Sequence, residues 1–164
     1  MRGYVDLSVA PKSVGAAGEL LSAASKLGYS EVGVPPEVYE GLAPGAAEPP
    51  AVRLVKRRCY EVRSPDDLTR AVSAARPGEL LVVKPVGVQA YRRAGKARRV
   101  DVLRLEPDSM VRPDRSEHNL FLERGGGALE VSLRPLLEDG QYLAWLSDVV
   151  RRALRVGIRV ALVS

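Results

Sequence analysis

Short apolar runs of strand length recur along this chain, each followed by a segment with helical spacing, and that alternation limits the fold more than any other feature. Read as strands, the runs are Tyr4–Val9, Ser30–Val34, Val52–Val55, Leu80–Val83, Val100–Leu105, Ala128–Leu133 and Ile158–Val163. Between them, apolar residues recur every three or four positions. Ser13 is placed to cap a helix through Leu27, with Val14, Ala17, Leu20, Leu21, Ala24 and Leu27 on one side and Gly28 as its stop. Glu37–Leu42 reads as a short helix, and Ala43–Pro50 as an exposed loop. Ser64-Pro65-Asp66-Asp67 is a strong helix start: a serine cap, proline at the first position, then carboxylates against the positive end of the dipole. Further helices are expected over Val88–Ala97, Ser116–Glu123 (Leu120 and Phe121 inward) and Gln141–Val156. The last should carry Leu143, Leu146, Val149, Val150 and Leu154 on one stripe.

Strands alternating with helices over short connections build βαβ units, and these give a parallel sheet. About seven short strands favour a distorted barrel over an open doubly wound sheet, in one domain spanning 1–164. The sequence offers no eighth strand. No Gly-x-Gly-x-x-Gly follows the first strand and no phosphate-binding loop motif is present, so an open nucleotide-binding sheet lacks its usual signature.

The charge is unevenly spread. The chain carries +5 overall, yet Arg53–Arg104 holds 14 basic residues against 5 acidic ones. A cationic middle on a weakly charged chain suits a polyanionic partner, although solvated helix faces would look the same. Twenty of the 25 basic residues are Arg, and Asn, Gln, Cys and Met are scarce. That composition fits a heat-adapted source or a GC-rich genome. Cys59 is the only cysteine, which rules out an internal disulfide and suits a reducing cytoplasm. The opening residues are too polar for a signal peptide, and no window has the apolar length of a membrane span.

Hydrolytic metal chemistry finds few ligands. The single histidine, His118, falls at a helix start, whereas barrel enzymes gather histidines and carboxylates at strand ends. Asp6, Asp101 and Glu130 fall on strands and could make an all-oxygen site. A structural role, paired with a cation such as Lys84 or Arg104, is the better reading for buried carboxylates. Cys59 has a basic neighbourhood but no base close in sequence, and reads as a packing residue. The remaining candidate is the run Lys84–Arg99, which has no acidic residue and accumulates Lys84, Arg92, Arg93, Lys96, Arg98 and Arg99. On a helix, Arg92, Arg93 and Lys96 lie within a turn of each other and make a cationic ridge suited to phosphate oxygens, with Tyr91 as a stacking surface.

The stretch Gly125–Leu137, GGGALEVSLRPLL, goes from a glycine turn into a strand and stops at Arg134-Pro135. Leu129, Val131 and Leu133 share one face, while Glu130 and Ser132 share the other, which either meets water or points into a barrel lumen. ALEVSLRPLL resembles the signature strand and turn of the archaeal ribonuclease P protein component 3 family, and YVDLSV, RVDVLRLEP, EHNLFLE and VALVS fit it in register. The resemblance spans essentially the whole chain, with residues 132–137 its most specific part.

That resemblance implies a TIM-type barrel related to the polymerase-and-histidinol-phosphatase-type metal phosphoesterases. It implies a non-catalytic subunit that pairs with protein component 2 and supports a catalytic RNA in removing the 5′ leader of precursor tRNA. The chain itself would carry no cofactor, with Mg2+ serving the RNA. Carried over by position, the family's RNA contacts fall on Arg70, Arg93, His118 and Arg124, with Arg134 on the signature turn. Together with the ridge, the expected RNA-binding set is Arg70, Lys84, Arg92, Arg93, Arg99, His118, Arg124 and Arg134, with no catalytic or metal-binding residue. The related phosphoesterases open on a histidine-rich strand; here that strand reads Asp6-Leu7-Ser8-Val9. Family members continue past the seventh strand, so either a C-terminally minimal version or loss of the remaining part is expected. The alternative from another class is a small barrel metal-dependent phosphoesterase.

Overall fold

The computed structural model describes residues 4–6, 14–42, 52–109, 111–113 and 127–163. The backbone gathers into two compact units, Met1–Arg58 and Cys59–Val163. Both are α/β, and the strand pairings seen among the described residues are parallel.

The first unit contains β1 (Tyr4–Asp6), α1 (Val14–Lys26), β2 (Tyr29–Val34), α2 (Pro36–Gly41) and the start of β3 (Arg53–Val62). Glu31, Val32, Gly33 and Val34 of β2 register with Arg53, Leu54, Val55 and Lys56 of β3. Ala17, Leu21 and Ala24 recur at four and three positions along α1, so one stripe of the helix meets Val32 and Val34 of the strand and Val38 of α2. Gly28 ends α1 at φ +83°, a conformation glycine reaches without Cβ strain. Residues 7–9 of the expected first strand lie outside the described residues.

The third strand is longer than expected. Periodicity places it at Val52–Val55, with Lys56-Arg57-Arg58 in the following turn; instead it runs through these basic residues to Val62. The cations fit because the strand alternates: Lys56 Nζ reaches Glu40 Oε1 at 3.3 Å and sits 4.8 Å from the Tyr39 ring centroid. Cys59 is exposed on this strand, so the packing role expected for it does not hold.

The second unit continues with α3 (Pro65–Ala74), β4 (Leu80–Pro85), α4 (Val88–Lys96), β5 (Val102–Leu105) and a 3-10 turn at Pro107–Ser109. After it come β6 (Ala128–Ser132), a second 3-10 turn at Arg134–Leu137, α5 (Tyr142–Arg155) and β7 (Val160–Val163). The serine cap foreseen at Ser64 is formed, and it is one half of a reciprocal capping box. Ser64 Oγ accepts from the Asp67 amide at 3.2 Å, while Asp67 Oδ2 accepts from the amides of Ser64 at 2.9 Å and Arg63 at 3.0 Å. These bonds and Arg70 hold the Asp67 carboxyl at about 2, below its ordinary 3.8.

Leu81 and Val83 of β4, Leu103 and Leu105 of β5, and Leu129 and Val131 of β6 form one continuous core with α4 and α5. The period of two then sends Lys84, Arg104, Glu130 and Ser132 to the opposite face. The expected split of the signature strand holds for Leu129 and Val131 against Glu130 and Ser132, whereas Leu133, expected with the first pair, lies past the strand's end and is exposed. On α5 the expected stripe is rotated: Tyr142, Leu146, Val149 and Ala153 are buried, whereas Leu143 and Leu154 are 58% and 62% exposed. Tyr142 joins this inward stripe, and its hydroxyl donates to the Ser132 carbonyl at 2.6 Å. The helix expected over Ser116–Glu123, with Leu120 and Phe121, lies outside the described residues.

Candidate nucleic-acid interface

The basic ridge stands on α4. Gly87, at φ +85°, turns the chain from β4 into the helix, and its amide donates to the Ser109 carbonyl at 3.0 Å. Ala90, Tyr91, Ala94 and Gly95 then face the core, which leaves Arg92, Arg93 and Lys96 to solvent. Arg98 follows, also exposed. Among the described residues none of these four cations meets a carboxylate, so their charge is available to an outside anion. Tyr91 corrects the expectation placed on it. It is fully buried, because position 91 shares the inward face with 94 and 95, and it offers no surface on which a base could stack.

Two other members of the basic run have a different setting. Lys84 extends from β4 into a cluster of carboxylates, with Nζ 2.7 Å from Glu106 Oε2, 3.1 Å from Asp108 Oδ2 and 3.6 Å from Glu61 Oε2. The Glu106 contact is the main cause of its ammonium being held above the ordinary lysine range. Arg99 is bound by the fold itself. Its Nη1 reaches Asp101 Oδ2 at 2.9 Å, and its Nη2 donates to the carbonyls of Arg76 and Glu79, both at 2.8 Å. Asp101 Oδ2 also accepts from the Leu81 amide at 2.8 Å, so one arginine–aspartate pair fastens the turns leading into β4 and β5. The ridge read from sequence thus divides into outward cations on α4 and inward cations that hold strands together.

Arg70 is exposed on α3 and pairs with Asp67 one turn earlier. Arg134 begins the 3-10 turn after β6, its Nε 4.0 Å from Glu138 Oε1 and its side chain largely in solvent. Its position is set through the backbone, because its amide donates to Ser132 Oγ at 3.2 Å. His118 and Arg124 lie outside the described residues.

Two of the three carboxylates considered for metal chemistry, Glu130 and Asp101, meet arginines. Glu130 is fully buried, with Arg104 Nη1 3.7 Å from its Oε1, and Arg104 Nε also reaches Glu106 Oε1 at 2.8 Å. The expected pairing of Glu130 with Arg104 is therefore present, whereas Asp101 takes Arg99. Asp6 lies on β1. Among the described residues no group of three or more His, Cys, Asp and Glu side chains is arranged to hold a metal ion. Sequence reading missed Glu61, Glu106 and Asp108 as partners of Lys84. Glu61 was hidden by the misplaced end of β3. Glu106 and Asp108 follow β5 by only a few residues, which was the available signal.

Among the described residues no helix is long and apolar enough to cross a membrane. No family model matches the chain. It is 36% identical over 168 residues to the ribonuclease P protein component 3 of Aeropyrum pernix, an alignment covering 99% of this chain and 78% of that protein. Such identity along nearly the whole chain agrees with the resemblance carried by residues 128–137, and the chain belongs to the ribonuclease P protein component 3 family.

Proposed function

We propose that this chain is an RNA-binding, non-catalytic protein subunit of a cytoplasmic ribonuclease P, supporting a catalytic RNA that removes the 5′ leader of precursor tRNA. The family membership supports a ribonuclease P role in tRNA 5′ processing. The observation that carries the RNA-binding part is the outward cluster Arg92, Arg93, Lys96 and Arg98. Guanidinium and ammonium groups without internal partners gain most from phosphate oxygens and the counterions they release. Arg70 and Arg134, each exposed at the end of an ion pair, extend the set; His118 and Arg124 enter by family position alone. Protein component 2 is the proposed protein partner, and Mg2+ is proposed to act with the RNA. The scaffold we propose is a distorted TIM-type barrel of the polymerase-and-histidinol-phosphatase-type lineage in which lysine and arginine side chains accompany the carboxylates.

Reconstitution tests this reading. Catalytic RNA and component 2 are combined with precursor tRNA and Mg2+, with and without this chain, and leader release is followed. A rate increase that depends on the chain is the expected result. Leader release by the chain alone, or hydrolysis of a phosphate ester with stoichiometric bound metal, would overturn it in favour of a metal-dependent phosphoesterase.

A further inference from the structure

A groove of about 580 Å³ runs beside α5, apart from the α4 ridge, and is lined in part by Val111, Arg112, Trp145, Asp148, Val149 and Arg152. Its volume falls within the range of roughly 300–1,000 Å³ usual for sites that enclose a small ligand. The lining combines two chemistries. Val111 and Val149 are buried and apolar, and the half-buried Trp145 indole is braced on Tyr142 with ring centroids 5.1 Å apart and planes 40° to each other. Beside the indole, Arg152 Nε lies 2.9 Å from both Asp148 oxygens and Arg112 Nε lies 4.0 Å from Oδ2. Two guanidiniums therefore share one carboxylate, and the group keeps a net positive charge. Both contacts are made through Nε, so among the described residues the terminal nitrogens of Arg112 and Arg152 remain as donors.

We propose that this groove takes one unpaired nucleotide of an RNA strand, its base stacked on Trp145 and its phosphate held by the terminal nitrogens of Arg112 and Arg152. The proposal rests on the RNA-binding reading above and adds a second, separate contact to it. The ligand follows from the lining: a flat π surface over an apolar floor suits a base, and paired guanidiniums suit a phosphate at its side. A base within a duplex is covered on both faces by its neighbours, so only an unstacked nucleotide can use the indole.

Trp145 is the only tryptophan of the chain, so its emission reports the surroundings of this groove. The full chain is titrated with single-stranded oligoadenylate, with a closed RNA hairpin and with inorganic phosphate. Anisotropy of labelled RNA is followed in parallel. Single-stranded RNA is expected to quench Trp145 along a saturable curve whose midpoint matches the anisotropy, with the hairpin and phosphate much less effective. Arg112→Ala with Arg152→Ala should raise that midpoint about tenfold. Trp145→Ala should raise the anisotropy midpoint roughly fivefold or more, the usual effect of losing one stacked base. Trp145→Phe, which keeps a ring against Tyr142, should recover most of that loss and so separates stacking from misfolding. Three results overturn the proposal. Quenching by phosphate alone marks a simple anion site. Equal quenching by hairpin and single strand removes the unpaired base. RNA binding seen by anisotropy with an unresponsive Trp145 means that the groove is unused or covered by the protein's own chain, and it leaves the α4 ridge standing. RNA binding in neither readout overturns the ridge as well.

Discussion

Lys84 Nζ and Glu106 Oε2 lie 2.7 Å apart, with Asp108 and Glu61 close behind, so one ammonium holds together carboxylates from the end of β3 and the segment after β5. Lys84→Met would leave three negative side chains facing each other around an apolar stem. A loss of about 1–3 kcal/mol at neutral pH is expected, read from urea unfolding. Glu106→Gln in the same chain should restore part of it, since one repelling charge goes. In the parent protein the Lys84 ammonium is raised above its ordinary 10.5. Its increment of stability is therefore complete below that value and is lost as pH climbs through the raised one. Lys84→Met should remove that alkaline loss.

Asp67 gives the opposite sign. Its carboxyl is held at about 2 against an ordinary 3.8, chiefly by Ser64 and the Arg63 amide. The folded state therefore prefers the charged form. Its contribution is present above pH 3.8 and declines as pH falls toward 2. Asp67→Asn should flatten the acid limb of the stability profile in thermal melts taken across that window. Ser64→Ala removes the reciprocal half of the cap and should cost about 0.5–2 kcal/mol at neutral pH.

The α4 ridge allows the proposed RNA binding to be tested apart from folding. Arg92→Ala, Arg93→Ala and Lys96→Ala together remove three exposed cations that hold nothing else in place among the described residues. Stability should move by no more than about 0.5 kcal/mol per site, whereas RNA affinity should fall. The slope of log affinity against log salt should become shallower by roughly 0.7–0.9 for each phosphate that is no longer neutralised. An unchanged slope would remove the ridge from the interface.

Two glycines predict opposite outcomes for the same substitution. Gly18, within α1, and Gly87, before α4, both have open space where a Cβ would go. At Gly18 the backbone is helical, so Gly18→Ala should stabilise by about 0.5–1 kcal/mol. At Gly87 the φ of +85° with ψ of 158° is tolerated almost only by glycine, and Gly87→Ala should cost about 1–3 kcal/mol. Differential scanning calorimetry of the two variants distinguishes backbone strain from packing, because neither adds a clash.

The alternation of apolar runs revealed the α/β organisation and the parallel pairing, because buried strands and amphipathic helices have different periods. Ser64-Pro65-Asp66-Asp67 showed its helix start directly, since a capping box is local chemistry. Pairings across the sheet were less legible. Glu130 with Arg104 could be anticipated from charge on neighbouring strands, but Asp101 with Arg99 depends on where two turns meet. The end of β3 was lost because Lys56, Arg57 and Arg58 look like a loop when their partners are unknown. Tyr91 was misjudged because one residue of rotation on α4 separates a stacking surface from the core. Leu143 and Leu154 were misplaced by the same small angle on α5, where the core stripe runs through Tyr142, Leu146, Val149 and Ala153. Arginine counts alone could not separate Arg92 and Arg93 from Arg99, whose donors are taken by carbonyls.

The turn after β6 has one more consequence. Its shape is held by the Ser132 hydroxyl on the Arg134 amide, by Pro135, and by the Tyr142 hydroxyl on the Ser132 carbonyl; the Arg134 side chain is not among these supports. The turn's stability and the RNA contact proposed for Arg134 therefore fall on different atoms of the same few residues. Sequence drift at position 134 could retune what the turn greets without unfolding it, while positions 132 and 142 would remain tied to each other.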